Sequence, residues 1–124
     1  MSGKTILYVE DNELNCKIVR QLLKPTAYKL IEAYDGEAGV AKALAERPEL
    51  ILMDIQLPKI SGMEAIRRLR AEATTAHTPI IAITSFALSG DDQKAKEAGA
   101  TAYIAKPYSP RDLLALIRRF LPES

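Results

Sequence analysis

The chain has 124 residues, 48% of them apolar and 27% charged, which is enough for one domain with a hydrophobic core of its own. Seventeen basic residues against sixteen acidic leave a formal net charge of +1, so neither a basic nucleic-acid surface nor an acidic tail is expected. The single cysteine, Cys16, excludes an internal disulfide, no apolar run reaches the roughly 20 residues of a membrane helix, and no signal peptide precedes the first apolar run. The expectation is a cytoplasmic protein without membrane insertion, one domain over residues 1–124.

Short apolar runs alternate along the chain with amphipathic segments. The first run, Thr5–Val9, ends in Glu10-Asp11. A helical stripe of Leu14, Ile18, Val19, Leu22 and Leu23 follows and stops at Pro25. The second run, 28–33, ends in Tyr34-Asp35-Gly36, which is turn chemistry leading into a weaker stripe of Val40, Ala41 and Leu44 before Pro48. The third run, 50–53, ends in Asp54; no helical pattern begins until about Ser61, after which Met63, Ile66 and Leu69 form a stripe. The fourth run, 79–83, ends in Thr84-Ser85. The segment after it, roughly 89–98, is strongly polar and offers little but alanine for a core face. The fifth run, 101–105, ends in Lys106-Pro107, and Leu113, Leu116, Ile117, Phe120 and Leu121 close the chain with a strong helical stripe.

Nearly continuous apolar runs alternating with helices predict an α/β fold, a parallel sheet with right-handed crossovers and helices on both faces. The pattern alone leaves the strand order open. A buried leucine is worth ~1.5–3 kcal/mol and an alanine less, so the alanine-lined fourth helix is expected to be the least firmly anchored.

Ligands in open α/β sheets bind beyond the carboxyl ends of the strands. Four of the five ends carry polar groups: Glu10 and Asp11, Asp54, Thr84, and Lys106. Three carboxylates against one ammonium are unstable together, since two like charges about 4 Å apart repel by roughly 4 kcal/mol at an effective dielectric near 20. A hard divalent cation with oxygen ligands resolves this better than zinc does, and with a lone histidine, His77, no His/Cys cluster competes. Each residue alone has a plainer reading. Acids after a strand often cap the next helix, threonine is common in strands, and lysine is usually just solvated. The combination is what points to a site.

The motifs Ile6-Leu7-Tyr8-Val9-Glu10-Asp11-Asn12, Leu52-Met53-Asp54-Ile55-Gln56-Leu57-Pro58 followed by Ser61-Gly62, Ile83-Thr84, and Ala105-Lys106-Pro107 resemble, in order and spacing, those of response-regulator receiver domains, over essentially the whole chain. The resemblance implies a flavodoxin-like (βα)5 fold, a doubly wound parallel sheet in the order 2-1-3-4-5. It implies a single-domain response regulator of a two-component phosphorelay rather than an enzyme with turnover, and the stretches 9–15 and 53–62 are similar to family members acting in bacterial cell division. Asp54 is then the phosphoacceptor. Asp11 binds Mg2+ (or Mn2+) directly, Glu10 mainly through water, and the Gln56 carbonyl is a further ligand. Thr84 and Lys106 contact phosphoryl oxygens, the Lys106–Pro107 peptide is cis, and Thr84 with Tyr103 forms the switch. The implied partners are a histidine kinase or a histidine phosphotransfer protein, and a downstream target on the face of the fourth helix, fifth strand and fifth helix, with Arg111 and Leu113 as contact residues.

Some positions depart from the common pattern of that family. Glu10 stands where aspartate is frequent, Ser85 where alanine is, and Pro25-Thr26-Ala27 replaces a glycine-containing turn. Phe86 is expected to shield the acyl phosphate and, with Gln56, to tune its hydrolysis. Competing readings are a phosphoryl shuttle between histidine proteins, an aspartate-nucleophile phosphatase, and a flavodoxin-like nucleotide binder. The phosphatase wants a second aspartate where Gln56 stands; the nucleotide binder wants a glycine-rich phosphate loop where Glu10-Asp11-Asn12 stands.

Overall fold

The computed structural model describes residues 4–84 and 91–123. Within them the chain alternates strand and helix: β1 (Thr5–Val9), α1 (Glu13–Leu23), β2 (Lys29–Ala33), α2 (Gly36–Glu46), β3 (Leu50–Asp54), α3 (Gly62–Ala71), β4 (Ile80–Thr84), α4 (Asp91–Ala98), β5 (Ala102–Ala105) and α5 (Pro110–Phe120). The strands form one parallel sheet in the order β2-β1-β3-β4-β5, the flavodoxin-like arrangement.

Alternation along the strands splits the core in two. Leu7, Val9, Ile51, Met53, Ile80 and Ala82 pack on one face with Ala43 of α2, Ala65, Ile66 and Leu69 of α3, and Ala95 and Ala98 of α4. Ile6, Tyr8, Leu50, Leu52, Ile81 and Ile83 pack on the other with Cys16, Val19 and Leu23 of α1 and Leu113 and Ile117 of α5. The central strands β3 and β4 are buried throughout, as strands covered on both faces must be.

Helix starts follow from local chemistry. Asn12, Asp35, Ser61 and Ser109 each accept a hydrogen bond from a backbone N–H in the first turn of α1, α2, α3 and α5, and Pro110 fills the first turn of α5. Glu10, Asp11 and Asp54 are therefore not needed as caps.

Three expectations about packing are corrected. Leu14 and Ile18 are 66% and 40% exposed, and the buried edge of α1 runs through Cys16, Val19 and Leu23. The apolar arc of α1 is wider than the sheet can cover. In α2 the exposed Ala41 gives way to Gly36, Gly39 and Ala43, because the helix lies so close to β1 that a Cβ on Gly39 would stand 2.8 Å from the Val9 methyls. Leu113, expected on an output face, is fully buried against β1, β3 and β4.

The fourth helix buries only Ala95 and Ala98 among its described side chains. Its C-terminal end is held from outside. The Arg70 guanidinium donates to the carbonyls of Gly99 (2.8 Å), Thr75 (2.9 Å), Ala76 (3.3 Å) and Thr78 (2.7 Å) and to Thr101 Oγ1 (3.2 Å). Gly99, at φ +116°, makes the left-handed turn that lets its carbonyl face Arg70.

Candidate functional site

The site lies where β1, β3 and β5 end. Strand alternation brings Glu10, Asp54 and Lys106 out on the α1/α5 face, continuing the rows Ile6-Tyr8, Leu50-Leu52 and Ala102-Ile104. Thr84 and Tyr103 belong to the alternate rows, on the side of α4. The sheet edge is thus divided into a charged half and a half next to the loosely packed helix.

Asp54 is buried and both its oxygens are held. Oδ1 accepts from the Gln56 backbone N–H at 2.9 Å and Oδ2 from Lys106 Nζ at 2.9 Å. The segment after Asp54 leaves the sheet and returns at once: Gly62 N donates to the Ile55 carbonyl, and a Cβ on Gly62 would stand 2.1 Å from the Asp54 carbonyl oxygen. Only glycine permits that return.

Glu10 is also buried. Its Oε1 accepts from the Tyr8 hydroxyl at 3.0 Å, from Lys106 Nζ at 3.1 Å and from Asn15 Nδ2 at 3.4 Å; its Oε2 accepts from Asn12 N at 3.2 Å. Burial raises the Glu10 pKa, the nearby Asp54 carboxylate adds to the rise, and Lys106 opposes it. Burial works against the charge of Lys106, but Asp54 and Glu10 outweigh it and hold the ammonium above the ordinary lysine range. Asp11 is exposed beside them.

One oxygen each of Glu10, Asp11 and Asp54 lies within 4.8 Å of the others, and Lys106 pairs with only two of the three. Three hard oxygen donors with one cation among them suit Mg2+ or Mn2+. Glu10, Asp11, Asp54 and Lys106, predicted from the strand ends, thus stand together in the structure. Gln56 meets Asp54 through its amide, and its side chain is exposed. Thr84 is buried at the end of β4, where its carbonyl accepts from Lys106 N at 2.6 Å. The Lys106–Pro107 peptide is cis. Tyr103 is 46% exposed on β5. Ser85 and Phe86 lie outside the described residues.

Sequence reasoning passed over Tyr8. It is fully buried within an apolar run, which reads as packing, yet its hydroxyl bonds Glu10. The available signal was spacing, since residues two apart in a strand share a face. Burial, with Tyr108 and Glu10 nearby, raises the Tyr8 pKa. Beside this network, Asn15, Ile18, Lys106, Pro107, Tyr108 and Pro110 line a groove of about 460 Å³, which adjoins a second along α1 bordered by Leu14, Lys17 and Leu22.

The profile of the response regulator receiver domain family matches residues 6–118. The chain is 40% identical over 121 residues to the polar-differentiation response regulator DivK of Brucella anthropi, covering 98% of each chain. The receiver domain of a sensor histidine kinase from Pseudomonas aeruginosa, with a magnesium ion coordinated in its active site cleft, superposes with a TM-score of 0.89 at 36% identity, covering 95% of this chain and 97% of that one. The Mn2+-bound form of response regulator Rcp1 superposes with a TM-score of 0.82 at 28% identity, covering 98% and 96%.

Proposed function

Because the chain belongs to the response regulator receiver domain family, and so to the signalling proteins of two-component systems, we propose that it accepts a phosphoryl group on Asp54 in a Mg2+-dependent transfer from a histidine kinase or phosphotransfer protein. The observation that carries the reading is the cluster itself: a buried Asp54 carboxylate with both oxygens oriented, within 4.8 Å of two further carboxylates and paired with a single ammonium.

Glu10, Asp11, Asp54 and the Gln56 carbonyl would hold the metal. When bound, Mg2+ neutralises phosphoryl oxygens and lowers the repulsion between phosphate and carboxylate. The protein's own groups do the rest. An Asp54 oxygen forms the new bond to phosphorus as the phosphorus–nitrogen bond of the donor breaks; the bonding pair stays on the imidazole nitrogen, which takes a proton. Lys106 moves from carboxylate to phosphoryl oxygen, and the Thr84 hydroxyl bonds another. The product is a mixed anhydride, and attack of water at phosphorus releases inorganic phosphate and restores the Asp54 carboxylate. The groove beside Lys106, lined by Ile18, Tyr108 and Pro110, fits the partner that delivers the phosphohistidine, since it opens next to Asp54's ion-pair partner and is largely apolar.

Output follows from the other half of the sheet edge. Thr84 is drawn to the phosphoryl group, Tyr103 turns from its half-exposed position into the space behind, and α4, seated on two alanines, shifts. The target binds across α4, β5 and α5, where Arg111 is exposed. A role in polar differentiation, which the name of the Brucella relative states for that protein, or in bacterial cell division is the favoured setting, and the cytoplasm the favoured location. Among the described residues no helix is long and apolar enough to cross a membrane.

Beryllofluoride titration watched by amide NMR tests the reading. Shifts around residues 10–11, 54–56 and 106 that need Mg2+ and vanish in Asp54→Asn are expected; a response without metal, or one retained in Asp54→Asn, contradicts it.

A further inference from the structure

We propose that Tyr8 is a positioning residue of the metal centre, its buried hydroxyl holding Glu10 Oε1 inside the protein so that Oε2 is the oxygen presented to the cation. This rests on the metal reading above and goes beyond it, because Tyr8 would touch neither metal nor phosphate.

A carboxylate offers about four acceptor sites, two on each oxygen. Among the described residues, Glu10 Oε1 faces three donors, the Tyr8 hydroxyl at 3.0 Å, Lys106 Nζ at 3.1 Å and Asn15 Nδ2 at 3.4 Å, whereas Oε2 faces one, Asn12 N at 3.2 Å. The open acceptor site is on Oε2. Of the donors on Oε1, Asn15 stands on α1 and Lys106 is the group that must leave for the phosphoryl oxygen. Tyr8 is the one fixed in the sheet: it is fully buried in β1, paired with Glu32 of β2 and Leu52 of β3. When Lys106 moves, Tyr8 is what keeps Glu10 from turning.

Packing alone does not explain the hydroxyl. Phenylalanine would fill the same place among Cys16, Leu52 and Leu113, and a buried hydroxyl is costly unless bonded. The side chain lengths also match. An aspartate at position 10 would be shorter by one carbon–carbon bond, about 1.5 Å, and could not keep a 3.0 Å contact with Tyr8 while its other oxygen stays on the Asn12 N–H. Tyr8 and Glu10 therefore act as a matched pair.

The test is a double-mutant cycle on the full chain, titrated with MgCl2 alone and followed by calorimetry or amide NMR. Tyr8→Phe is expected to weaken Mg2+ binding about tenfold, the scale at which groups that orient a ligand act, and to have no further effect in a Glu10→Gln background. With a small-molecule phosphodonor, Tyr8→Phe should raise the Mg2+ concentration for half-maximal phosphorylation and leave the rate at saturating Mg2+ unchanged. Wild-type affinity in Tyr8→Phe, or the same loss in the Glu10→Gln background, overturns the role of Tyr8 while the metal reading stands. Absence of saturable Mg2+ binding by the wild-type chain overturns both.

Discussion

Asp54 is held by the groups around its carboxylate. Lys106 bridges Asp54 and Glu10, and replacing it leaves buried carboxylates without a counter-charge. Lys106→Met is therefore expected to cost the metal-free protein about 3 kcal/mol, as breaking a buried ion pair does, measured by urea unfolding in EDTA. It should at the same time bind Mg2+ more tightly, because the cation no longer competes with the ammonium; equal or weaker Mg2+ affinity would contradict the electrostatic account. Away from the site, the Arg20 guanidinium holds the Glu32 carboxyl below its ordinary pKa through hydrogen bonds of 2.5 and 2.7 Å, burial partly opposing and the Tyr34 hydroxyl helping. A depressed carboxylate contributes stability that is present above its unfolded pKa and lost as pH falls through its folded one. Glu32→Gln is thus expected to be less stable than wild type at neutral pH by ~1 kcal/mol, with the difference fading as acid takes the wild type through the folded pKa of Glu32; a difference constant with pH would contradict this origin. At this scale Asp54, Asp11 and Lys106 were legible because charged residues directly after apolar runs stand out. Tyr8 was not, because an aromatic ring inside such a run carries no sign that its hydroxyl has work to do.

Among the elements, the five strands were legible to within a residue or so at each end, since buried parallel strands are continuous in apolar side chains. Helix faces were less so. In α1 the residues Leu14, Ile18 and Leu22 repeat every four, and Cys16, Val19 and Leu23 repeat at three and four; both fit a helical period, and only docking against the sheet and α5 selects the second. The weakness of α4 was legible from its alanines, but the device that fixes its end was not, because Arg70 and Gly99 lie 29 residues apart. Five acceptors converge on that one guanidinium. Arg70→Ala is expected to lower the unfolding free energy by about 3 kcal/mol through loss of several partly buried bonds. Arg70→Lys should restore less than half, since an ammonium lacks the planar fork that reaches carbonyls on both sides. Urea denaturation of the three proteins measures both, and full rescue by lysine would show that charge rather than the fork holds α4.

The whole molecule is a sheet whose carboxyl edge is divided by strand alternation. Glu10, Asp54 and Lys106 emerge toward α1 and α5, and Thr84 and Tyr103 toward α4. The proposed chemistry and the proposed output therefore lie on opposite faces and meet at the ends of β3, β4 and β5. The α/β class and the shared edge could be read from run lengths and run ends; the strand order could not, and came from the resemblance of the motifs to receiver domains. The central claim is that this edge phosphorylates Asp54 with a divalent metal. Intact-protein mass spectrometry after incubation with acetyl phosphate and MgCl2 tests it most directly. One added phosphoryl group on the wild type is expected, absent in EDTA and absent in Asp54→Asn. An unmodified wild type, or an Asp54→Asn chain that gains the same mass, would contradict the account.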